Sequence, residues 1–204
     1  WIDVFCLAIH DDHSRLACHV QWYTAETARN LIHGVCQAIL KRGRPWTIMT
    51  DNGAAMVAAE FTEGLARIGT MHATTLPYSA YQNGKTERFW GILEGRLMAM
   101  LKDTELTLNL LNEATLAWVE GEYNHEKNSE IGTTPYDRFT HSPDISRASP
   151  SWEDLRQAFR MEVVRRQRRS DGTVTVDGCR YEVPSPYRML ESIRIRYARW
   201  DLSL

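Results

Sequence analysis

The chain has 204 residues, enough for one medium core or for one core plus a small second domain. Hydrophobic residues at 43% and charged residues at 25% describe an ordinary globular composition, and no apolar run approaches the ~20 residues that span a bilayer, so a helical membrane protein is excluded. The formal net charge of −2 is low for a protein that handles nucleic acid, but it divides unevenly: residues 160–204 hold ten Arg and six acids (+4), and residues 1–159 hold 14 Lys+Arg and 20 acids (−6). A basic tail can follow phosphates, although a run such as Arg165-Arg166-Gln167-Arg168-Arg169 also fits a solvated face. Four cysteines, Cys6, Cys18, Cys36 and Cys179, show no Cys-x-x-Cys spacing and are expected as buried free thiols in a reducing cytoplasm rather than as a zinc site. Trp1 opens inside an apolar run with no basic region before it, so no signal peptide is expected and the chain is expected to be a fragment.

In chain order, Ile2 to His10 is apolar at successive positions, as in a strand covered on both faces. Asp11-Asp12-His13-Ser14-Arg15 makes a turn, with Asp12 and Arg15 expected to fix it by local hydrogen bonds, and Leu16 to Tyr23 returns as a second strand. Glu26 to Lys41 is amphipathic, with Thr24 as its N-cap, and Gly43 and Pro45 end it. The strand 46–50 follows as a crossover onto the same sheet. Val57 to Ile68 is a short helix, and Met71 to Leu76 a strand. From Gly84 to Lys102 the apolar residues Phe89, Ile92, Leu93, Leu97, Met100 and Leu101 recur at helical spacing, and Leu106 to Tyr123 gives a further helix. His141 to Pro150 has no periodicity and two prolines, and 141–159 is expected as a linker. From Arg160 short strands alternate with Asp-Gly turns at 171–172 and 177–178, the pattern of a small, partial antiparallel β-barrel.

Two carboxylates stand out. Asp51 follows the apolar strand Trp46–Thr50 and precedes Asn52-Gly53, and ligand sites in α/β sheets favour such strand ends. Glu87 falls in the first turn of the long helix, at its positive end. Taken singly, Asp51 fits an Asx-turn and Glu87 fits a carboxylate that offsets the helix dipole. Taken together, they suit a pair of divalent-ion ligands.

Thr50-Asp51-Asn52-Gly53, Pro77-Tyr78, Asn83-Gly84-Lys85-Thr86-Glu87-Arg88-Phe89, Asp11 to Arg15, and Tyr123-Asn124-His125 followed by Gly132 to Phe139 resemble the catalytic core of retroviral integrases and insertion-sequence transposases. The resemblance covers roughly residues 1–140. It implies a ribonuclease-H-like α/β fold, a five-stranded mixed sheet flanked by helices, here without its first strand, over 1–140. It implies a DNA transposase or integrase that cuts and joins DNA strands with Mg²⁺ (or Mn²⁺), acting on transposon ends and target DNA as a homo-oligomer, with no membrane partner and in a bacterial-type cytoplasm. Asp51 and Glu87 are then the second and third members of an Asp, Asp, Glu triad, with 35 residues between them. The first Asp would lie on the missing strand, so this chain alone is expected to be inactive; Asp3 is expected to be structural. Asn83, Lys85 and Arg88 would contact phosphate or the metal shell, and Arg165, Arg166, Arg168 and Arg169 would follow DNA. Glu94 stands seven residues after Glu87, where many relatives place a basic residue. Val176 to Pro184 is similar to part of the C-terminal barrel of Mu-type transposases (160–204). The alternatives are a ribonuclease-H-type nuclease and a catalytically inactive DNA-binding relative.

Overall fold

The computed structural model describes residues 3–75, 84–102, 104–143, 147–198 and 202. Strand β1 (Phe5–His10) pairs antiparallel with β2 (Ala17–Tyr23), from Phe5 opposite Tyr23 to His10 opposite Ala17, with a bulge at Ile9/His10. Their turn is held by Asp11 as well as by the expected pair: Ser14 donates its N–H and its hydroxyl to Asp11 Oδ2 at 2.7 and 2.6 Å, and the Arg15 guanidinium donates to the Asp12 carbonyl. Arg15 takes a left-handed φ of 66° there. As the continuous apolar pattern predicted, β1 is covered on both faces. Leu7 and Ile9 pack on one side against α1 (Ala28–Arg42), and Cys6 and Ala8 on the other against Phe89, Leu93 and Trp118.

Helix α1 starts later than the apolar pattern suggested. Thr27, not Thr24, is the N-cap: its hydroxyl accepts from Asn30 N–H, and the Asn30 amide reaches back to the Ala25 carbonyl, so the entry loop is tied down. Gly43 ends the helix at φ 86°, a conformation glycine adopts without a Cβ penalty.

Strand β3 (Thr47–Thr50) and β4 (Met71–Thr74) pair in parallel across α2 (Ala59–Arg67), a strand–helix–strand unit. Here the arrangement departs from the continuous sheet expected: among the described residues, β1–β2 and β3–β4 are separate two-stranded ladders. The outer edge of β2 is closed by side chains. Asn124 exchanges two hydrogen bonds with the Ala17 backbone (2.9 and 3.2 Å), and Asn112 does the same with Trp22 (2.8 and 3.1 Å). Both amides imitate a neighbouring strand and blunt an edge that would otherwise invite pairing.

The long helix begins as α3 (Gly84–Ile92) and continues through a π-helical stretch, Leu93–Met98, before it ends. Its buried stripe, Phe89, Leu93 and Leu97, meets Trp118, Val119 and Tyr123 from α4 (Leu108–Gly121) and the 3₁₀ turn after it. Helix α5 (Pro135–His141) starts on a Thr134 cap.

Residues 147–159 are part of the core packing rather than a free tether. Arg147 forms a two-way backbone bridge with Arg44, donates to the Pro45 carbonyl at 2.6 Å, and lays its guanidinium 4.1 Å over the Trp46 ring. Ser151 and Asp154 form a capping box that starts α6 (Trp152–Ala158), and Leu155, Ala158 and Phe159 join the cluster built by α1 and α2.

The tail forms two antiparallel ladders, β5 (Met161–Arg166) with β8 (Ser192–Tyr197) and β6 (Thr173–Val176) with β7 (Cys179–Glu182). Val174, Val176, Val183 and Tyr197 are buried. Asp177 (φ 45°) and Gly178 (φ 81°) make the tight turn their sequence predicted. The ladders do not close into a barrel among the described residues. Cys6, Cys18 and Cys36 are at least half-buried, and burial pushes each thiol up to about 12; Cys179, expected buried, is exposed. No described helix is long and apolar enough to cross a membrane.

Candidate active site

Asp51 leaves the carboxyl end of β3 and is exposed. Its Oδ1 accepts from Gly53 N–H at 2.9 Å, an Asx turn, and Asn52 donates to the Thr75 carbonyl, so the loop is fixed to the chain after β4. The turn-forming and ligand-presenting readings of Asp51 are therefore compatible, because the turn uses one carboxylate oxygen and aims the group outward. Thr50 beside it is fixed through its hydroxyl, 2.8 Å from His72 Nε2.

Glu87 sits in the first turn of α3 and is exposed. Among the described residues, no hydrogen bond or ion pair engages its carboxylate, which leaves it available to a ligand. The buried neighbour Phe89 anchors this turn to the core, and Trp90 packs beside it. Asp51 and Glu87 both line one cleft, together with Asp11, Asp12, Lys85 and Trp90. Two hard carboxylate donors suit Mg²⁺ or Mn²⁺. They are too few alone: no group of three or more His, Cys, Asp or Glu that could hold a metal occurs among the described residues.

The cations around Glu87 are paired. Lys85 Nζ lies 2.5 Å from Asp12 Oδ1, and Arg88 reaches Ser129 Oγ at 3.2 Å and Glu130 Oε2 at 3.6 Å. Arg15 also binds Glu130 at 2.6 Å, and that hydrogen bond holds the Glu130 carboxyl below its usual range. Asn83 lies outside the described residues. Glu94 is exposed, and Arg96 pairs with Glu126 and Glu122. In the tail, Arg166 pairs with Glu191, while Arg165, Arg168 and Arg169 take part in none of the ion pairs between described residues.

The sequence offers His10 only as a possible metal ligand with His13 and Asp11, a reading that hard-ion chemistry does not need, and gives no sign that its ring is buried. His10 ends β1 with its ring centroid 4.2 Å from that of Phe89, its Nε2 is buried without a partner, and burial lowers its pKa to about 4. Asp12 and Glu130 were equally invisible as partners of α3, because they lie 73 and 42 positions from Lys85 and Arg88.

A mixed α/β core with helices on both faces of its strands defines a ribonuclease-H-like fold. No family model matches the chain. The catalytic core of the HTLV-2 integrase in complex with magnesium is 27% identical, with a TM-score of 0.52 over 67% of this chain and 92% of that one. The simian T-cell lymphotropic virus intasome in complex with the PP2A regulatory subunit B56 gamma is 25% identical, with a TM-score of 0.58 over 73% of this chain and 56% of that one. The Gag-Pro-Pol polyprotein of human T-cell leukemia virus 2 is 34% identical over 99 residues, 48% of this chain. The chain thus carries a retroviral-integrase-type catalytic core. It spans 7% of the length of that polyprotein. These relatives are retroviral, which gives the expected bacterial setting no support.

Proposed function

We propose that this chain is the core of a DNA recombinase that cuts and joins DNA strands by metal-dependent phosphoryl transfer. The observation that carries this reading is the opening of Asp51 and Glu87 onto a single cleft. These two carboxylates would hold Mg²⁺ or Mn²⁺, which when bound activates a water or 3′-hydroxyl and stabilises the leaving oxygen. Asp51, fixed by its own turn, and Glu87, fixed by the Phe89 anchor, offer acceptors on two rigid elements. Lys85 and Arg88 would take DNA phosphates, with Asn83 beside them. Exposed ion pairs contribute roughly 0–1 kcal/mol, so phosphate can displace Asp12 and Glu130 at little cost. Arg165, Arg168 and Arg169, with Arg166 if it leaves Glu191, would extend the contact along the duplex. DNA ends and target DNA are the partners, and a homo-oligomer assembled on DNA is the working form. No third ligand groups with these two carboxylates among the described residues. A catalytically inactive DNA-binding relative is the second reading, favoured by the lack of any group of three or more metal-holding side chains among the described residues.

Asp51→Asn and Glu87→Gln in the intact protein test the assignment. Each should abolish Mg²⁺-dependent strand transfer while duplex affinity changes less than about twofold, because one carboxylate holds metal but little of the phosphate contact. Undiminished strand transfer in either variant removes the site.

A further inference from the structure

Arg44 and Arg147 meet just before β3, joined by two backbone hydrogen bonds of 2.9 and 3.2 Å. Their guanidinium groups converge on the chain between α2 and β4. Arg44 Nη1 donates to the Ile68 carbonyl at 2.5 Å, and Arg147 Nη2 donates to the Pro45 carbonyl at 2.6 Å and to Thr70 Oγ1 at 3.4 Å. Both groups stand over Gly69: a Cβ there would lie 3.6 Å from Arg147 Nη1 and 3.9 Å from Arg44 Nη1. With φ at 70° glycine is favoured at this position, and the space above it stays open. The Trp46 ring, 4.1 Å from the Arg147 guanidinium, fixes its plane without using an N–H. Neither arginine takes part in an ion pair between described residues. Burial, and then the positive charge of Arg44, push the Arg147 guanidinium below its usual value, as expected for like charges with no carboxylate between them. The carbonyl bonds also leave donors over. Arg44 Nη2 and Arg147 Nη1 have no hydrogen-bond partner among the described residues, and both Nε atoms are buried without one. A purely structural tie would need no such pair, because neutral donors reach carbonyls without the repulsion.

We propose that Arg44 and Arg147 form a phosphate-binding site over Gly69. Each guanidinium presents its N–H groups as a planar fork, and one oxyanion can accept from both forks at about 2.8 Å per bond. Phosphate carries oxygens on all sides, which suits donors arriving from two separate segments of chain better than a planar carboxylate does. Bound there, it neutralises the like-charged pair and takes up the donors that the carbonyls leave free. The site lies at the other end of β3 from Asp51, so the four residues of that strand, ~13 Å at ~3.3 Å each, separate the two. The phosphate has two natural sources, the DNA backbone and free phosphate. The backbone source rests on the recombinase reading, in which the pair would hold a duplex about four base pairs from the reacting strand at ~3.4 Å each. The phosphate site itself does not rest on that reading.

The first arm titrates the unmodified chain with inorganic phosphate, against chloride at matched ionic strength, and reads backbone amide shifts by NMR. Phosphate should shift the amides of Arg44, Gly69 and Arg147 saturably, with half-saturation on the order of a millimolar, the strength of a few charge-assisted hydrogen bonds. Arg44→Gln and Arg147→Gln should each weaken that binding by about tenfold or more. A pair that only ties the chain together would lower the urea midpoint of both variants yet show no saturable shift in the unmodified chain. That absence overturns the site, whether or not the variants fold. Shifts centred on the tail arginines, or shifts at Gly69 that persist unchanged in both variants, overturn it as well. A second arm adds a short DNA duplex to the phosphate-bound chain. Loss of the phosphate shift at Gly69 assigns the site to the DNA backbone, and phosphate retained beside bound duplex assigns it to free phosphate. A chain that binds phosphate at Gly69 but no duplex at all counts for the site and against the recombinase reading.

Discussion

Replacing Gly64 by alanine probes whether α6 is docked on the core. Gly64 is buried on α2, and a Cβ there would lie 2.1, 2.6 and 2.8 Å from Cδ1, Cε1 and Cγ of Phe159. The Phe159 ring is 1% exposed and stacks with Phe61, so it has no open space to retreat into. Two effects oppose each other. Alanine gains about 1 kcal/mol over glycine in helix propensity. Overpacking a filled core costs roughly 1–3 kcal/mol, and contacts this short belong at the upper end. The net expectation is a loss of about 1–2 kcal/mol, read from the urea midpoint by circular dichroism. Gly91 on α3 is the control, because a Cβ there meets nothing within 4 Å and Gly91→Ala should stabilise by up to about 1 kcal/mol. Combining Gly64→Ala with Phe159→Leu should cost less than the two single losses added, since the smaller side chain makes room for the new methyl. If Gly64→Ala is as favourable as Gly91→Ala, Phe159 is not seated against α2 and the packing of residues 147–159 is refuted.

Acid should weaken the fold before its carboxylates titrate. Burial lowers His10 and His19 from an ordinary value near 6.5 to about 4, so the unfolded chain takes up protons that the folded chain refuses. Their contribution is intact above about pH 6.5 and is lost as pH falls toward 4; between pH 7 and 5 this amounts to about 2 kcal/mol per histidine. Urea midpoints at pH 7, 6 and 5 check it, and a flat profile over that range would refute the buried neutral state. Truncation after Arg160 keeps Phe159 and should leave the core folded by circular dichroism. It should also flatten the slope of log affinity for duplex DNA against log salt by about two to four units, at roughly 0.9 per phosphate contact. An unchanged slope, measured by fluorescence anisotropy between 50 and 200 mM salt, would make the tail arginines a solvated face.

What the sequence disclosed and what it hid follow from the range of the interactions involved. Phe89, Leu93 and Leu97 recur at helical spacing and are buried on the helix that spacing implied, because periodicity is local. Asp51 and Glu87 could be singled out for the same reason: each is marked by its own strand end or helix start, and the resemblance joined them. Helix α6 was legible in principle, since Ser151 and Asp154 have the spacing of a capping box, but seven residues are too short for periodicity to show. Arg147 over Trp46 could not be read at all, because it depends on a fold that brings together positions 101 apart.

The split sheet is the sharpest case. Alternation and apolar runs say that a segment is a strand, but they do not say which strand lies beside it. Asn112 and Asn124 make the point from the opposite side. Asn112 lies within α4 with no pattern to mark it, Asn124 belongs to the Tyr123-Asn124-His125 motif but carries no sign of its role, and each supplies what a strand neighbour would have supplied to β2. The core thus closes one edge of its first ladder with two side-chain amides, through contacts between positions 90 and 107 apart that no local pattern carries.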